Sequence, residues 1–375
     1  MVCGLALLAS GQIFAATITV NSTSGTTTTG VCTLQDALTS ANTDTATGGC
    51  VAGSGADIIV FDASLSGQTI TRNTVLPSLT TNITIDGSSL ASHVIISAVT
   101  YMRPFNVNSG GVLTLTHLDI VNGNVSPFAG AINVNSGGTL TLNNCTLSGN
   151  TAVAGGTGGG AISNYGTVTV NNSTFSNNHA DSTALYGGGA IMSGGTLTIN
   201  NSTFSGNTSS SGGALFISGG TVVINNSTFS DNTSTGNGGN ILNKGTLTLK
   251  NTILANATGV DCYNNGGTVS ITNSLIETNG SSPNNCGTPT LTADPNLGAL
   301  ANNGGKTQTL ALLTGSPAIN AGDTATCLST DQRGSARVGI CDVGAFEYTP
   351  PTPAPIDFSF SNKQVETFAT DIEMK

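Results

Sequence analysis

Three stretches of the chain repeat one pattern: YGTVTVNNSTFSNN over 165–178, GGTLTINNSTFSGN over 194–207 and GGTVVINNSTFSDN over 219–232. The pattern extends in both directions, because the glycine before each alternating run recurs at 111, 138, 166, 195, 220, 245 and 267. Successive glycines are therefore 22 to 29 residues apart. A period of this length over seven units is typical of a solenoid.

Each unit contains three short apolar runs that read as strands. In the first, the leucines of Thr-Leu-Thr-Leu share one face and the threonines the other. The second aligns Phe175, Phe204 and Phe229, with Leu147 and Leu254 at the same rank, and the third is Gly-Gly-Ala-Ile or a close relative. None of these strands can bury its apolar side alone. The sequence therefore predicts an all-β fold, a single-stranded right-handed parallel β-helix of about 25 residues per coil, with roughly nine coils over 57–292 and the phenylalanines stacked inside.

An asparagine follows each alternating strand at a recurring bend. Asparagine tolerates the left-handed conformation of such bends, and its amide can bond the coils above and below. We therefore expect a structural Asn ladder at Asn144, Asn172, Asn201, Asn226, Asn251 and Asn273. The next position is a small residue in most units, so Cys145 is expected to be an interior packing residue without a redox role.

Composition and charge exclude several classes of protein. Gly, Asn, Thr and Ser supply 187 of 375 residues, which disfavours helices. The charged fraction is 7%, whereas disordered chains are rich in charge. A net charge of −10 with only four arginines argues against binding to nucleic acid or to an anionic membrane.

The chain divides into five segments at the sequence level. Residues 1–16 read as a signal peptide, with a buried first strand as the alternative, and the stretch is too short for a transmembrane span. A truncated or misassigned start would explain why no positive charge precedes the apolar run. Residues 17–56 form an N-terminal cap with a helix over 34–42, introduced by a capping box at Thr33. The β-helix covers 57–292, a C-terminal cap 293–348, and a Pro-rich linker and tail 349–375.

The eight cysteines indicate an oxidising compartment. Cys3 lies in the predicted signal peptide, and proximity in the sequence suggests the pairs Cys32–Cys50, Cys262–Cys286 and Cys327–Cys341 for the others. This links the C-terminal cap by a disulfide and leaves Cys145 free. No CxxC is present and no histidine lies near a cysteine, so no metal site is expected.

Several of these motifs resemble those of a known group of proteins. CTLQDA at 32–37 resembles the N-terminal CSLREA signature of secreted bacterial proteins, and the GGAI and FxxN units resemble polymorphic outer-membrane-protein repeats. The motifs DPNLG at 294–298, GSPAINAGD at 315–323, DQRG at 331–334 and CDVGAFE at 341–347 are similar to the choice-of-anchor Q domain. The resemblance implies an exported parallel β-helix, extracellular or at the bacterial cell surface, and no single activity.

A polysaccharide-active enzyme, such as a pectate-lyase-like protein, is the first alternative. It would need converging acids, a base and usually Ca²⁺, which is the one setting in which a cofactor is expected. The acids of the repeat array occupy different coil positions, and the histidines lack a Gly-His-Gly context, so no catalytic residue is predicted. The positions considered are Asp119, Asp181, Asp231, Asp261, Glu277, His93, His117, His179, Arg72 and Arg103.

Two other features of the sequence leave a choice open. The outward threonines of the alternating strands form two columns, as in some ice-binding solenoids, although Val223 and Ser270 interrupt one of them. The charged residues around the last cysteine pair either hold the cap by ion pairs or form a metal or ligand site. They are Asp323, Asp331, Arg333, Arg337, Asp342 and Glu347.

The favoured prediction is a non-enzymatic, adhesin-like monomer that presents an extended face or loop edge to a surface glycan or protein ligand. Insertions at 151–158, 179–187, 208–211 and 233–237 all precede the third strand, so stacking should bring them to one edge. The second insertion has the most varied chemistry, and His179, Asp181 and Tyr186 are the predicted binding residues.

Overall fold

A computed structural model describes residues 15–72, 74–99, 101–125, 128–153, 158–181 and 186–350. The predicted signal peptide and tail therefore lie almost wholly outside the described residues. The chain forms a parallel β-solenoid of about 27 residues per turn, with about seven turns that contain all three main sheets. The turn number is lower than the nine expected, because the first and last coils lack a strand of the third sheet.

Three parallel sheets, A, B and C, form the sides of the solenoid, and each coil passes through them in that order. The strands of sheet A are Thr17–Val20, Asp57–Phe61, Asn82–Asp86, Val112–Thr116, Thr139–Asn143, Thr167–Asn171, Thr196–Asn200, Thr221–Asn225, Thr246–Lys250 and Thr268–Thr272. Those of sheet B are Thr69–Arg72, Val94–Ala98, Leu118–Val121, Thr146–Ser148, Thr174–Ser176, Thr203–Ser205, Thr228–Ser230, Ile253–Ala255 and Leu275–Ile276. Those of sheet C are Phe105–Val107, Ile132–Val134, Ile162–Asn164, Ile191–Ser193, Leu215–Ile217, Ile241–Asn243 and Cys262–Asn264.

Shorter strands complete the described structure. Sheet D stacks the starts of the insertions between sheets B and C, so these insertions leave the solenoid at one edge. Its strands are Asn124–Val125, Thr151–Ala152, His179–Ala180, Thr208–Ser209 and Thr233–Ser234. Gly158–Gly159 pairs with Gly187–Gly188 in parallel, Leu297–Ala301 pairs with Thr309–Leu312 in antiparallel fashion, and Ala63–Leu65 is a 3-10 turn.

The interior is built from stacked identical positions. Phe175, Phe204 and Phe229 are fully buried, with ring centroids 4.6 and 4.3 Å apart and nearly parallel planes. Leu147 and Leu254 extend the column at its two ends, in the predicted register. The rings therefore stack inside the solenoid, which confirms the expected interior stack.

The asparagines predicted as a ladder have a different main role. All six have positive φ, between 38° and 51°, so they provide the expected left-handed bend between sheets A and B. The side chains of four of them bond to the C-terminal segment: Asn201 to Thr330, Asn226 to Leu328, Asn251 to Asp323 and Asn273 to Ala321. The bend points these amides outward, where that segment offers backbone partners.

Two continuous amide ladders lie elsewhere on the coils, one before and one after the sheet B strands. The outer ladder lies one residue before the bend asparagines. There Asn171 donates to Asn143, Asn200 to Asn171 and Asn225 to Asn200 at 2.8–2.9 Å. The inner one is buried at the end of sheet B and joins Asn150, Asn178, Asn207, Asn232 and Asn240 before it ends on the carboxylate of Asp261. Stacking therefore does produce Asn ladders, but at other ranks than the one predicted.

The small-residue column beside the bend satisfies backbone groups. The hydroxyl of Ser173 accepts from the amide of Cys145 at 3.1 Å, and Ser202 and Ser227 repeat the bond along the column. Cys145 is buried, and burial raises the pKa of its thiol to about 12. An interior thiol with this pKa is unreactive, in line with a packing role.

The N-terminal helix, α1 (Leu34–Thr43), covers the first coils. The side chain of Thr33 accepts from the amide of Asp36, which completes the expected cap, and Leu34, Leu38 and Ala41 are buried beneath the helix. Arg72 links sheet B to the helix by donating to Gln35 at 3.1 Å. Burial lowers the pKa of Arg72 to about 10, opposed by the charge of Asp36.

Disulfides join Cys32 to Cys50, Cys262 to Cys286 and Cys327 to Cys341. The first joins Cys50, in the loop after α1, to Cys32, which lies two residues before the helix begins. The second closes the last coil of sheet C. The third lies within residues 293–348, which we call the strap. The pairs are those suggested by sequence proximity.

The strap does more than close the C-terminal end. It runs back along the bends and the outer face of sheet B, so Ala321 contacts the coil of Asn273, Leu328 that of Asn226 and Thr307 that of Asn172. A second apolar cluster fills the space between strap and sheet; it comprises Ile253, Ala255, Leu275, Leu312, Ala318, Val343 and Phe346.

Gln332 is the central polar contact between strap and sheet B. Its amide nitrogen donates to Thr174 and to Thr307, and its carbonyl oxygen accepts from Thr203 at 2.6 Å. We expect Gln332→Ala to lower the free energy of unfolding by about 2 kcal/mol, because several buried polar groups lose their partners.

Limited proteolysis checks this prediction. Cleavage should begin within the strap and proceed at least tenfold faster than in the wild type, since the strap opens before the coils do. Thr314→Ala, which removes an exposed hydroxyl contact with Tyr348, is the matched control and should leave the rate unchanged. A Gln332 variant with wild-type stability and cleavage would contradict the assigned role.

Candidate functional site

The predicted binding residues lie on two neighbouring elements. His179 is exposed on sheet D, and its Nδ1 atom is 2.7 Å from the hydroxyl of Thr208. The backbone of Asp181 extends sheet D by donating to Ala152. Tyr186 lies five residues further along the chain than Asp181 and stacks on Phe216, with ring centroids 5.6 Å apart.

Tyr186 belongs to a row of side chains that the sequence analysis did not foresee. Five successive coils each contribute one member: Phe128, Tyr165, Tyr186, Phe216 and Lys244. Phe128 packs edge-on against Tyr165 at 6.1 Å, and the ammonium of Lys244 lies 3.8 Å from the Tyr186 ring centroid. Phe128, Tyr165 and Tyr186 are each more than a third exposed. We call these five residues the aromatic row.

The aromatic row lies on a buried apolar cluster on the outer side of sheet C. Met192, Phe216 and Leu242 form an apolar cluster there, next to Tyr263. The glycine-rich loops before sheet C fold closely over this face, since a Cβ at Gly188 would collide with the backbone at Ile191 and Phe216. The repeated Gly-Gly is therefore required by close backbone approach.

Aligning the middle residue of the third strand across the repeats would have revealed Phe216. Lys244 and Tyr165 share the next column, directly before the repeat glycine. The signal for these residues lies in the third strand, which repeats less regularly in the sequence than the first two strands.

A second site lies at the corner between sheets A and B of the early coils. A cleft of about 660 Å³ opens between the outer face of sheet B and the strap residues 302–308. Its lining includes His93, His117, Asp119 and Lys306. The contact between His93 and Asp119 in this cleft was not predicted from the sequence.

The register explains this convergence. Val94 pairs with Leu118, so the residues before them, His93 and His117, fall in one column. In the later coils this column is occupied by the bend asparagines. His117 has the same left-handed conformation as they do, with φ of 60°. Extending the repeat alignment to the irregular early coils would have predicted the histidine pair.

The ring of His93 is held by Asp119. Its Nδ1 atom is 2.7 Å from a carboxylate oxygen of Asp119, and the His93 and His117 ring centroids are 4.0 Å apart. Burial, followed by the charges of His93 and Lys306, lowers the pKa of His117 to about 4. His117 is therefore neutral at physiological pH.

The charged cluster of the strap is internally satisfied. Arg333 pairs with Asp331 at 2.7 Å, and Arg337 pairs with Glu347 at 3.1 Å. Backbone amides also donate to the carboxylates of Asp331, Asp342 and Glu347. Burial lowers the pKa of Arg337 and raises that of Asp342. These charged side chains therefore stabilise the strap by pairing with one another. This favours the interpretation that they hold the cap by ion pairs over a metal or ligand site.

The outward threonine columns of sheet A are in register across the middle coils. Thr139, Thr167 and Thr196 are paired in one column, and Thr141, Thr169 and Thr198 in the other. Val223 interrupts the second column, as the sequence indicates. Ice binding by this face stays a prediction.

Comparison of the sequence with protein-family models and with curated proteins finds no match. The resemblance to CSLREA, polymorphic outer-membrane and choice-of-anchor Q sequences therefore stays a prediction. Within the described residues, no helix has the length and apolar character needed to cross a membrane.

Proposed function

We propose that the protein is an exported binding protein that holds an extended glycan along the aromatic row. The observation that carries this proposal is the exposed aromatic surface of Phe128, Tyr165 and Tyr186 on a rigid solenoid. Its members follow one another along the solenoid axis, so they suit a chain-like ligand better than a small compact one. The loop edge with His179 and Asp181 borders this row.

A carbohydrate fits the chemistry of the row. Sugar rings present flat C–H faces that pack on aromatic faces, and an exposed aromatic patch gains free energy when a ligand covers it. Lys244 next to Tyr186 supplies a cation that can donate to hydroxyl or carboxylate groups of the ligand.

Export is supported by the cysteine chemistry. Three disulfides within the described residues suit an oxidising compartment and are unusual in the cytosol. The predicted signal peptide at 1–16 would direct the chain there. In this proposal, residues 17–56 and 293–348 protect the ends and one side of a monomeric solenoid, and its sheet C face remains available for the ligand.

Tyr186→Ala is expected to weaken glycan binding about tenfold, because the row loses the ring at its centre. Tyr186→Phe should bind within about twofold of the wild type, since stacking is kept. A glycan array identifies the ligand, and calorimetric titration then measures its affinity for each variant.

Val338→Ala on the strap is the matched control, because Val338 is exposed and apolar but lies away from the row. Equal loss of affinity in this variant would assign binding to another surface. Unchanged affinity in Tyr186→Ala and Tyr165→Ala together would contradict the proposed function.

The cleft favours a polysaccharide-active enzyme as the second candidate. The specific observation is the His93–Asp119 pair beside Lys306, which offers a base and a cation in one depression. Incubation with polyuronates, with and without Ca²⁺, tests it by the ultraviolet absorbance of unsaturated products. Activity that disappears in His93→Asn would establish this candidate, whereas full activity in that variant would exclude the pair.

A further inference from the structure

We propose that His93 and His117 form a binding site for a divalent transition-metal ion, of the copper or zinc class, at the corner between sheets A and B. The Nε2 atoms of both rings are buried, and neither has a hydrogen-bond partner within the described part of the chain. His93 is 10% exposed at its side chain and His117 is 3% exposed overall. Two buried imidazole nitrogens without partners at one corner point to a ligand that accepts their lone pairs.

The spacing of the two rings suits chelation. The histidines occupy the same rank of adjacent coils, and their centroids are 4.0 Å apart with planes inclined at 66°. Two metal–nitrogen bonds of about 2.0–2.1 Å at a tetrahedral angle place the nitrogens roughly 3.3 Å apart. A centroid separation of 4.0 Å is compatible with that nitrogen–nitrogen distance, because each nitrogen lies on the rim of its ring.

Asp119 has the position of an orienting carboxylate. Its oxygen accepts from Nδ1 of His93, which fixes the proton on Nδ1 and leaves the lone pair on Nε2. Metal-bound histidines almost always have such an outer partner.

The remaining ligands would come from the cleft. Within the described ranges, no group of three or more His, Cys, Asp or Glu side chains is arranged to hold a metal ion, so the proposed site has two protein ligands. The cleft of about 660 Å³ beside them leaves room for water or an oxygen of a bound ligand. Imidazole ligands favour Cu²⁺ most strongly among the divalent ions of this series.

Copper titration of the untagged, chelator-treated protein tests the proposal. Electron paramagnetic resonance should show one bound Cu²⁺ with hyperfine coupling to two imidazole nitrogens. His93→Asn and His117→Asn should each weaken binding at least tenfold. Asparagine is chosen because later coils have it in this column, and His117 shares their left-handed bend. Asp119→Asn should weaken binding up to tenfold, as expected for an outer partner.

His179→Asn is the matched control, because His179 is the third histidine of the chain and lies exposed on sheet D. It should bind Cu²⁺ within twofold of the wild type. The proposal is wrong if the His93 and His117 variants bind like the wild type, or if His179→Asn removes the signal. Circular dichroism and the thermal midpoint establish that each variant is folded.

Lys306→Gln provides a test that keeps both rings. The exposed ammonium of Lys306 lines the same cleft as the two histidines and repels a cation there, so its removal should tighten Cu²⁺ binding at least twofold at low salt. Unchanged or weaker binding would contradict a cation site at this corner, whatever the stability of the histidine variants. The site does not depend on the proposed glycan function, and the two tests share no variant.

Discussion

Phe204→Ala is expected to lower the free energy of unfolding by about 3–5 kcal/mol. Phe204 is fully buried and stacks on both Phe175 and Phe229, so truncation removes two ring contacts and leaves a cavity between three coils. Neighbouring coils cannot close this cavity, because the hydrogen bonds of sheets A, B and C fix their separation. Equilibrium unfolding in guanidinium chloride, followed by far-UV circular dichroism, measures the loss.

Phe204→Leu is the matched control. Leucine already occupies this column at Leu147 and Leu254, and the backbone is the same there. We expect a cost of about 1–2 kcal/mol, since most of the apolar volume is kept. A cost below about 0.5 kcal/mol for Phe204→Ala would mean that the column does not form part of the core.

Asn207→Asp is expected to cost about 3–5 kcal/mol at neutral pH. The Asn207 side chain is buried, accepts from both the backbone and the side-chain amide of Asn178, and donates to Phe175 and Asn232. A carboxylate keeps the acceptors but cannot donate, so its charge would face the carbonyl oxygens of Phe175 and Asn232. The inner ladder would be broken at its centre.

The pH dependence of this variant distinguishes charge from shape. Burial opposite carbonyl oxygens raises the pKa of the new carboxyl above its unfolded value, so the folded state takes up the proton more readily. The deficit relative to the wild type should therefore shrink as the pH falls from neutral through that raised pKa. A deficit that is constant from neutral to acid pH would contradict this explanation.

Asn200→Asp is the control for the same substitution on the outer ladder. Asn200 is only half-buried and bonds Asn171 and Asn225 at the surface of sheet A. Water can replace these partners, so we expect a cost of at most about 1 kcal/mol. A cost as large as that of Asn207→Asp would mean that burial does not set the difference between the ladders.

The regular coils could be predicted from the sequence because their signal is local and repeated. The alternation of Thr139–Leu142 gives the strand and its buried face, and the recurrence of Phe204 gives the stack. The bend residues also followed from local chemistry, since Asn144 and its equivalents have the expected left-handed backbone. Each of these features depends only on residues within one coil, or on the same position in the next coil.

The hydrogen-bond partners of the asparagines could not be predicted in the same way. Adjacent residues such as Asn200 and Asn201 have the same side chain, and only their orientation at the bend separates them. Asn200 points along sheet A to its neighbours, whereas Asn201 points to Thr330 of the strap. The strap is more than 100 residues away in the chain, so no local pattern indicates this contact.

The sequence by itself determined the solenoid, its strands, its interior columns and its capping helix, because a short repeat fixes which residues stack wherever the coils are regular. Tertiary structure alone decided the path of the strap, the aromatic row and the meeting of His93 with His117 and Asp119. These depend on contacts between coils of unequal length and between distant segments. The register of the paired strands determines which side chains meet. A shift of that register by one residue would turn each side chain to the other face of its strand.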